Sequence, residues 1–513
     1  MQIDKIIEIG KKARLKYNNC PKTELGNAER HARINYESHK HSEKRGDFVY
    51  DGKRFVNSEA KAFELYIRTV LPLLYAEAGA VFDDMQHSRI PESEKSKTIQ
   101  AATRHAIHSE AANRIAAAIR LARTDSKITI DEDAFDKNPL LFNCKNGTFN
   151  FETGKLQPHD RKDLISKISN VEYDPEAEAP IFNKFISTIF DNDKDMIRFM
   201  QKSLGYTATG LTNEQKIWIL LGVGANGKSV LTTAISEALG EYACQCSPEL
   251  LLKTNDSEDK RLTQIARLVG ARFAQSQETD EGRALAEAAI KTMTGGEKLV
   301  GRHLYQSQFT FEASHKLWLA TNSRPIIKGT NEGIWRRILL VPFDVRIPPA
   351  EQDKNLSKKL AREGAGIFNW LAEGYRLYRA EGLCIPKKVT DAVSAYRGDS
   401  DILTAFIDQN CIIKQHGQGA SVSVSELYDS YQSFCESEGE YCKSNRYFST
   451  ALKDKGFDKI KQGKIWFWRG ILLDNDSDTN SNTNFKNDSF TISEDREMLS
   501  EKLELSENDE LFQ

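Results

Sequence analysis

The fold of this chain is decided by KIWILLGVGANGKSVLTTAISEALG, residues 216 to 240. The stretch begins with a short apolar run, continues through a glycine-rich loop and ends in a helical pattern that stops at Gly240. A short apolar run bounded by a glycine loop is typical of a buried parallel strand. The stretch therefore predicts a strand, a loop and a helix at the centre of an α/β fold.

The loop matches the pattern G-x-x-x-x-G-K-S over its full eight residues: Gly222, Val223, Gly224, Ala225, Asn226, Gly227, Lys228 and Ser229. Its glycines let successive backbone N–H groups face phosphate oxygens at the N-terminus of the helix. Lys228 supplies a positive charge to the β- and γ-phosphates of ATP, and the Ser229 hydroxyl can ligate Mg²⁺. We expect an ATP and Mg²⁺ site here, in preference to a glycine-rich loop that binds no nucleotide.

Because the loop alone would also fit a nucleotide kinase or a GTPase, the order of the downstream segments has to decide. A second predicted strand ends at Glu278, which is placed to polarise the attacking water or to hold Mg²⁺ through water. A third is followed by Asn322, which can sense the γ-phosphate. Arg336 and Arg337 precede a fourth, where an arginine can act on the ATP of a neighbouring subunit. For Glu278, an ordinary carboxylate at a strand end is the alternative interpretation.

Alternating residues around a short polar turn predict a β-hairpin between residues 299 and 311. Lys298, Arg302 and His303 are the candidate phosphate contacts, with Lys291 on the preceding helix, and a solvated basic face is the alternative. For Tyr305, base stacking and core packing are equally favoured.

Six segments together resemble superfamily 3 helicases, specifically the phage, plasmid and poxvirus primase-helicase family. They are NCKNGTFNFETGKL (143–156), GANGKS (224–229), ETDEG (278–282), KTMTGGEKLVGRHLY (291–305), ATNSRP (320–325) and GTNEGIWRRI (329–338). The resemblance implies an AAA-like P-loop NTPase core, a hexameric ring and ATP-dependent movement on single-stranded DNA, usually 3′ to 5′. It also implies that this family's hairpin lies inside the ring channel.

The same resemblance assigns roles by residue match. Lys228 and Ser229 would hold the nucleotide, Glu278 would be the catalytic acid, Asn322 the sensor, and Arg337, in preference to Arg336, the arginine finger. One departure is Gln277-Glu278, where many members have two adjacent acidic residues. Asp280 and Glu281 follow closely in sequence and are minor candidates for the role of catalytic acid.

Composition and pattern divide the chain into five predicted parts. These are a polar, flexible segment at 1–47, an α+β helicase-associated domain at 48–205, the AAA-like ATPase at 206–400, a winged helix at 401–473 and a disordered acidic tail at 474–513. In the first part, His39-Lys40-His41 is interpreted as a solvated loop in preference to a metal-bound nickase centre. In the second, hairpins are predicted at 48–56 and 141–151, and one or two helices between 96 and 123.

The predicted winged helix consists of a helix at 424–436, a second helix from Asn445 with Ser444 as its N-cap, and a two-stranded wing within 457–468. Lysines and arginines are dense on the second helix and the wing, which favours DNA over a solvated face. Arg446, Lys453 and Lys464 are the candidate contacts. This part could bind an origin or simply hold the duplex.

Bulk composition is compatible with these predictions. Of 513 residues, 39% are hydrophobic and 28% charged, with no evident signal peptide or membrane-spanning run, so we expect a cytoplasmic protein. The 8 cysteines form no C-x-x-C pair, so no zinc site is expected. Residues 474–513 carry a charge of −9, from twelve acidic and three basic residues, which leaves about +6 on the rest of the total of −3.

We therefore expect an ATP- and Mg²⁺-dependent hexameric DNA helicase that acts on single-stranded and forked DNA in the replication of a phage, plasmid or integrated mobile element. The alternative is an ATP-switched initiator or remodeller that does not unwind processively; a nucleotide kinase is a third option. Because the short region before the helicase shows no zinc-binding cysteines and few residues for a primase core, we expect no primer synthesis. The acidic tail, which ends in Leu511-Phe512-Gln513, could dock on a host replication protein.

Overall fold

The computed structural model describes residues 20–254, 258–278, 283–303, 307–327, 332–414, 420–437 and 442–474. Within these ranges, the side chains of residues 278, 399–402, 404 and 454 lie outside the description. The described part contains an N-terminal α+β unit, a central parallel sheet with both faces covered, and a C-terminal α+β unit. The mixed α/β architecture with a parallel sheet is confirmed.

The N-terminal unit packs four helices against a small antiparallel sheet. Its elements are α1 (Glu24–Asn35), β1 (His39–Ser42), β2 (Gly46–Tyr50), β3 (Phe55–Asn57), α2 (Glu59–His87), α3 (Glu92–His108) and α4 (Ala112–Ala122). Ser58 caps α2 by accepting a hydrogen bond from the Lys61 N–H. Tyr66 and Val70 of α2 pack with Ile119 of α4 in the core. The predicted hairpin at 48–56 and the helices between 96 and 123 are confirmed.

The prediction of a flexible segment at 1–47 is wrong for residues 20–47. His39 and His41 lie in β1, which pairs with β2, and do not form a solvated loop. His31 and His39 are fully buried, and Asp47 accepts hydrogen bonds from His39 and His41. The polar composition was misleading because these side chains hydrogen-bond to one another instead of to water. Residues 1–19 lie outside the described residues.

Helix α2 also corrects the expectation that no apolar run could span a membrane. By length and composition alone its 29 residues are sufficient for that. Such a helix is equally typical of a protein core, and Tyr66, Val70 and Leu74 are indeed buried within the N-terminal unit. Core packing therefore accounts for part of its apolar surface, while Ile67 and Phe82 are about half exposed.

A second antiparallel sheet and two helices connect the N-terminal unit to the central sheet. They are β4 (Leu141–Cys144), β5 (Gly147–Asn150), β6 (Lys155–Gln157), α5 (Pro180–Ile189) and α6 (Lys194–Ala208). The predicted hairpin at 141–151 is confirmed by the pairing of β4 with β5.

The central unit contains the stretch from which the fold was predicted. Its elements are β7 (Ile217–Leu221), α7 (Lys228–Leu239), β8 (Ala243–Gln245), α8 (Glu258–Ala266), β9 (Phe273–Glu278), α9 (Glu287–Thr294), β10 (Leu299–Arg302), β11 (Gln308–Phe311), β12 (Lys316–Thr321), α10 (Glu332–Trp335), β13 (Ile338–Pro342), α11 (Leu356–Arg362) and α12 (Gly364–Glu381). Five of the strands form a parallel sheet in the order β13-β7-β12-β9-β8. Strands β10 and β11 form a separate antiparallel hairpin, as predicted.

Both faces of the parallel sheet are buried, which explains why its strands are apolar at consecutive positions. Along β7, Trp218 and Leu220 face the core shared with α7 and α12, whereas Ile217 and Ile219 face the core shared with α9. Trp218 stacks on Trp318 of β12 at 4.9 Å between ring centroids.

The C-terminal unit is built from α13 (Lys387–Asn410), β14 (Cys411–Ile413), β15 (Ser421–Ser423), α14 (Val424–Ser437), α15 (Asn445–Asp454), β16 (Asp458–Gln462), β17 (Ile465–Arg469) and β18 (Ile471–Leu473). The Ser444 hydroxyl caps α15 as predicted. Strands β16 and β17 form the expected hairpin, and β15 pairs on the other side of β17.

Two predicted domain boundaries fall inside helices. The boundary at 205/206 lies in α6, which packs along α12, and the boundary at 400/401 lies in α13. In α13, Tyr396 belongs to the core of the central unit, whereas Phe406 belongs to the core of the C-terminal unit. One continuous helix therefore contributes to both cores, which a change in composition could not indicate.

Candidate functional site

The glycine-rich loop leaves the carboxyl end of β7 and enters the first turn of α7. Gly224, Ala225 and Gly227 have positive φ values of 61°, 51° and 83°. This left-handed conformation costs little for glycine, so Gly227 can serve as the N-cap of α7 without a side chain. The backbone of the loop thus turns sharply around the N-terminus of a helix, as an anion site requires.

The loop also packs closely against the segment that follows β13. A Cβ atom on Gly222 would overlap the carbonyl oxygen of Phe343, so only glycine fits there. The Ile347 N–H donates to the Ala225 carbonyl oxygen at 2.8 Å. Val223, by contrast, is 86% exposed at the outside of the loop.

Lys228 is buried at the base of the loop, where only 5% of it is exposed. Its Nζ donates to the Gly222 carbonyl oxygen at 2.5 Å and to Asn226 Oδ1 at 3.1 Å. Burial lowers the pKa of Lys228 to about 8, because it removes water from around the charged amine. An anion at the loop would therefore stabilise the charged form of this amine.

Asn226 provides a second indication of an anionic ligand. The residue is 4% exposed, and its Nδ2 is buried without a hydrogen-bond partner in the described part of the chain. A buried amide donor without a partner is costly. A phosphate oxygen is an acceptor that would satisfy it, so the residues present fit a bound nucleotide.

Strand register brings Glu278 and Asn322 to the same edge of the sheet as the loop. Leu221, at the end of β7, has Thr321 as its partner in β12, and Thr321 in turn pairs with Glu278 in β9. Asn322 follows Thr321, is exposed, and accepts a hydrogen bond from Lys228 Nζ at 3.4 Å. Ser229 is exposed in the first turn of α7. The side chain of Glu278 and residues Asp280 and Glu281 lie outside the description.

Mg²⁺ fits this edge of the sheet without a dedicated protein cage. The ion usually keeps several waters and takes one or two protein oxygens together with substrate phosphates. Ser229 would supply a hydroxyl, and Glu278 would act through water.

The assignment of Arg337 as the exposed finger is not compatible with its position. Arg337 is 8% exposed, and it donates to Thr294 Oγ1 at 3.0 Å and to the Gly333 carbonyl oxygen at 2.6 Å. Burial, and then the neighbouring Arg336, lower its pKa. Its hydrogen bonds thus hold it inside its own subunit. Arg336 is exposed, with one long contact of 3.3 Å to Gln215, and is the accessible arginine of the pair.

The two arginines precede β13, at the amino edge of the parallel sheet. The glycine loop lies at the opposite, carboxyl edge. Arg336 consequently cannot belong to the ATP site of its own subunit without a large rearrangement.

The predicted basic residues of the β10–β11 hairpin are held by acidic residues. Lys298 pairs with Asp133 at 2.9 Å, which raises the Lys298 pKa, and Arg302 pairs with Asp259 of α8. His303 is exposed and stacks on Phe309 at 5.2 Å. Tyr305 lies outside the described residues.

In the C-terminal unit, Arg446 and Lys453 of α15 and Lys464 at the hairpin turn are all exposed. Sequence patterns did not single out Trp466, which is 49% exposed beside them. The available signal was the alternation Trp466-Phe467-Trp468, in which only the fully buried Trp468 is needed for the core.

Comparisons with known proteins find a matching domain and similar viral proteins. Residues 28–191 match the domain described as "D5 N terminal like". A protein of Acanthamoeba polyphaga mimivirus named "Putative helicase" is 28% identical over 324 residues, which are 59% of this chain and 33% of the relative. One of Invertebrate iridescent virus 3 with the same name is 26% identical over 376 residues, covering 65% of this chain and 40% of the relative.

An African swine fever virus protein named "Putative primase" is 27% identical over 213 residues, which are 40% of this chain and 22% of the relative. The chain thus spans less than half of the length of each of these three relatives. Among solved structures, the C-terminal region of NrS-1 overlaps 67% of this chain and 86% of its own, at 13% identity and a TM-score of 0.37, too low to establish a common fold. The chain is therefore similar, over residues 28–191, to the matched domain, and over longer segments to viral proteins named putative helicases and a putative primase.

Proposed function

We propose that the protein is an ATP-dependent DNA helicase of the superfamily 3 type that works as a ring of identical subunits, six in the resembling family. The observation that carries the proposal is the register of the parallel sheet. It brings the loop with Lys228, the end of β9 with Glu278, and Asn322 to one edge, and leaves Arg336 at the other.

Each of the residues at the carboxyl edge would have a separate role in ATP hydrolysis. Lys228 and the loop N–H groups would hold the β- and γ-phosphates, and the Ser229 hydroxyl would face Mg²⁺. Glu278 would polarise the attacking water, and Asn322, which already contacts Lys228, would report the state of the γ-phosphate.

The two edges of the sheet support the proposal of a ring. An arginine that stabilises the transition state has to reach the phosphates, and in this subunit Arg336 lies at the wrong edge. In a head-to-tail ring, the amino edge of one subunit would face the carboxyl edge of the next.

DNA would be contacted by the β10–β11 hairpin through Lys298, Arg302 and His303, and by the C-terminal unit, which we interpret as a winged helix, through Arg446, Lys453 and Lys464. All of these side chains except the half-buried Arg302 are exposed, and their charge suits the phosphate backbone. On DNA binding, Lys298 would leave Asp133 and Arg302 would leave Asp259, and both would pair with phosphates. The acidic tail, proposed to dock on a host replication protein, lies outside the described residues.

Substitution of Glu278 by Gln tests the catalytic proposal, because it keeps the shape of the side chain and removes the base. We expect ATP binding close to that of the wild type and turnover reduced on the order of 100-fold or more. Glu237→Gln, at an exposed position of α7, is the matched control and should retain wild-type turnover. Normal turnover in E278Q would remove Glu278 from the mechanism.

Strand displacement on a forked substrate separates the helicase from an ATP-switched initiator or remodeller. The helicase uses successive rounds of ATP hydrolysis to separate the duplex and release a strand, whereas the remodeller hydrolyses ATP and releases none. The measurement is the fraction of labelled strand set free, with E278Q as the inactive control.

A further inference from the structure

The C-terminal unit contains an open cleft of about 770 Å³ between α15 and the β16–β17 hairpin. Lys453 of α15, Lys459 of β16 and Lys464 at the turn line it, together with one acidic residue, Asp458. The indole of Trp466 lies in the same wall. A concave surface with three lysines, one carboxylate and an aromatic ring is suited to an anionic ligand that also has a flat face.

Trp466 is presented to this cleft by the regular pairing of the hairpin. It lies opposite Lys461, and Trp468, two residues further, lies opposite Lys459 on the same face. Trp468 is fully buried, with Lys459 Nζ 4.6 Å from its ring centroid. Because Trp468 anchors the strand in the core, Trp466 is held one step beyond it, on a rigid support and with 49% of its surface exposed.

One lysine lies beside the exposed indole, and three more line the same cleft. Lys461 Nζ lies 5.8 Å from the centroid of its ring. Lys453 and Lys464 are exposed, and Lys459 is fixed by donating to Ser449 Oγ at 3.0 Å. Burial and the nearby charge of Lys453 both lower the pKa of Lys459, so this group of like charges would be stabilised by an anion.

The face of a base is what distinguishes the possible nucleic-acid ligands. In an intact duplex the base faces are covered by their neighbours, and a protein reaches only base edges and phosphates. In a single strand the faces are open, and an aromatic side chain can stack on them without regard to sequence.

We propose that this cleft binds unpaired DNA, with a base stacked on Trp466 and the flanking phosphates on Lys453 and Lys464. The inference deepens the proposed function, since it assigns the C-terminal unit to the separated strand and not to the duplex. In the cleft, Trp466 contributes affinity for any unpaired base, and the lysines contribute the salt dependence.

The test uses the full chain without ATP, a labelled oligo-dT and a blunt duplex of the same length. Loss of one stacking contact should weaken oligo-dT binding on the order of tenfold in Trp466→Ala and leave duplex binding unchanged. Trp466→Phe, which keeps an aromatic face, should retain most of the affinity. Ile413→Ala, which shortens a 60% exposed apolar side chain outside the cleft, should change neither. Tryptophan emission of the wild type should fall on addition of oligo-dT, and this change should be absent in Trp466→Phe.

Equal weakening for both DNAs in Trp466→Ala would show a duplex surface, and unchanged oligo-dT binding would show that Trp466 takes no part; either result overturns the inference. Both readouts are independent of ATP hydrolysis. A chain without ATPase activity whose emission still responds to oligo-dT would contradict the proposed function and support the cleft. If DNA stimulates the ATPase but Trp466→Ala leaves the oligo-dT affinity unaltered, the proposed function is supported and the inference about the cleft is contradicted.

Discussion

A directed series of hydrogen bonds runs through the N-terminal unit from Thr69 to Asp47. Because the Thr69 hydroxyl donates to a backbone carbonyl one turn earlier, its oxygen accepts from Asn35 Nδ2, at 2.9 Å. The second Nδ2 hydrogen of Asn35 then goes to His31 Nδ1 at 3.0 Å. His31 must donate from Nε2 to His39 Nδ1, at 2.8 Å, and His39 from Nε2 to Asp47 at 3.2 Å. The order of donors thus determines both imidazole tautomers.

The charges along this series are fixed by burial and by Asp47. Burial, followed by the neighbouring His39, lowers the pKa of His31 to about 3, although Asp47 opposes the shift. For Asp47, burial alone would raise the pKa, but hydrogen bonds from His39, His41 and Arg123 outweigh it and lower the value. Uncharged His31 and ionised Asp47 are therefore the forms that stabilise the fold.

Acid should destabilise the N-terminal unit in a way that depends on His31. The unfolded chain binds a proton at His31 below pH 6.5 and the folded chain does not, so this contribution is complete above pH 6.5 and is lost as pH falls towards 3. At pH 5 the loss from His31 is about 2 kcal/mol. Urea unfolding at pH 7.5 and pH 5.0 measures it.

His31→Gln retains an acceptor for Asn35 and a donor for His39 but does not titrate, so we expect a shallower loss of stability in acid. His87→Gln, at an exposed position at the end of α2, should behave as the wild type. An unchanged pH dependence in H31Q would show that His31 is protonated in the folded chain.

At the scale of elements, helices α6 and α12 pack closely against each other. A Cβ on Gly205 would overlap the backbone of Tyr375, and a Cβ on Gly374 would overlap the backbone of Gln201. The two glycines therefore set the distance between the helices, and α6 is held in the central unit.

Gly205→Ala should lower the free energy of unfolding by about 3 kcal/mol, because backbone atoms cannot yield as a flexible side chain can. Gly79→Ala is the matched control: Gly79 is also within a helix, but no atom lies within 4 Å of its added Cβ. That substitution should be neutral or stabilise by about 0.5 to 1 kcal/mol. Similar denaturation midpoints for the two variants would contradict the role assigned to the glycine contact.

The β10–β11 hairpin is expected to couple DNA binding to ATP hydrolysis. Alanine at both Arg302 and His303 should reduce the stimulation of ATPase by DNA and leave basal ATPase unchanged, since neither residue lies at the loop edge of the sheet. Lys97→Ala, an exposed change in α3, is the control. Asp259→Asn, which frees Arg302, should increase stimulation at low DNA concentration. Equal loss of basal and stimulated rates in the double variant would indicate a structural role for the hairpin.

At the scale of the whole molecule, the two edges of the sheet predict that an active site is shared between subunits. Lys228→Ala removes the loop lysine, and Arg336→Ala removes the proposed finger; each variant alone should lose ATPase. Mixed in equal amounts, they should recover up to about a quarter of the wild-type rate, because about that fraction of neighbouring pairs combines an intact loop with an intact arginine. The measurement is ATPase against mixing ratio.

Arg337→Ala should behave differently from Arg336→Ala. It leaves a cavity and removes hydrogen bonds to Thr294 and Gly333, so we expect a loss of stability. ATPase should not recover when this variant is mixed with K228A. No recovery in mixtures of K228A and R336A that still assemble would argue that the arginine acts elsewhere.

The sequence by itself determined the central elements of this protein and the position of its glycine-rich loop between them. Local order was sufficient for the strand before Gly222, the helix after Lys228, the hairpins and the helix capped by Ser444, because periodicity and caps depend on neighbours along the chain. Only the tertiary structure decided which polar side chains are buried. It buries His31, His39 and Arg337 and leaves Arg336 and Trp466 exposed. It also makes α13 contribute to the cores of two units. The reason is that burial and hydrogen-bond partners come from residues far away in sequence. Asp47 accepts a hydrogen bond from Arg123, and Arg337 donates one to Thr294.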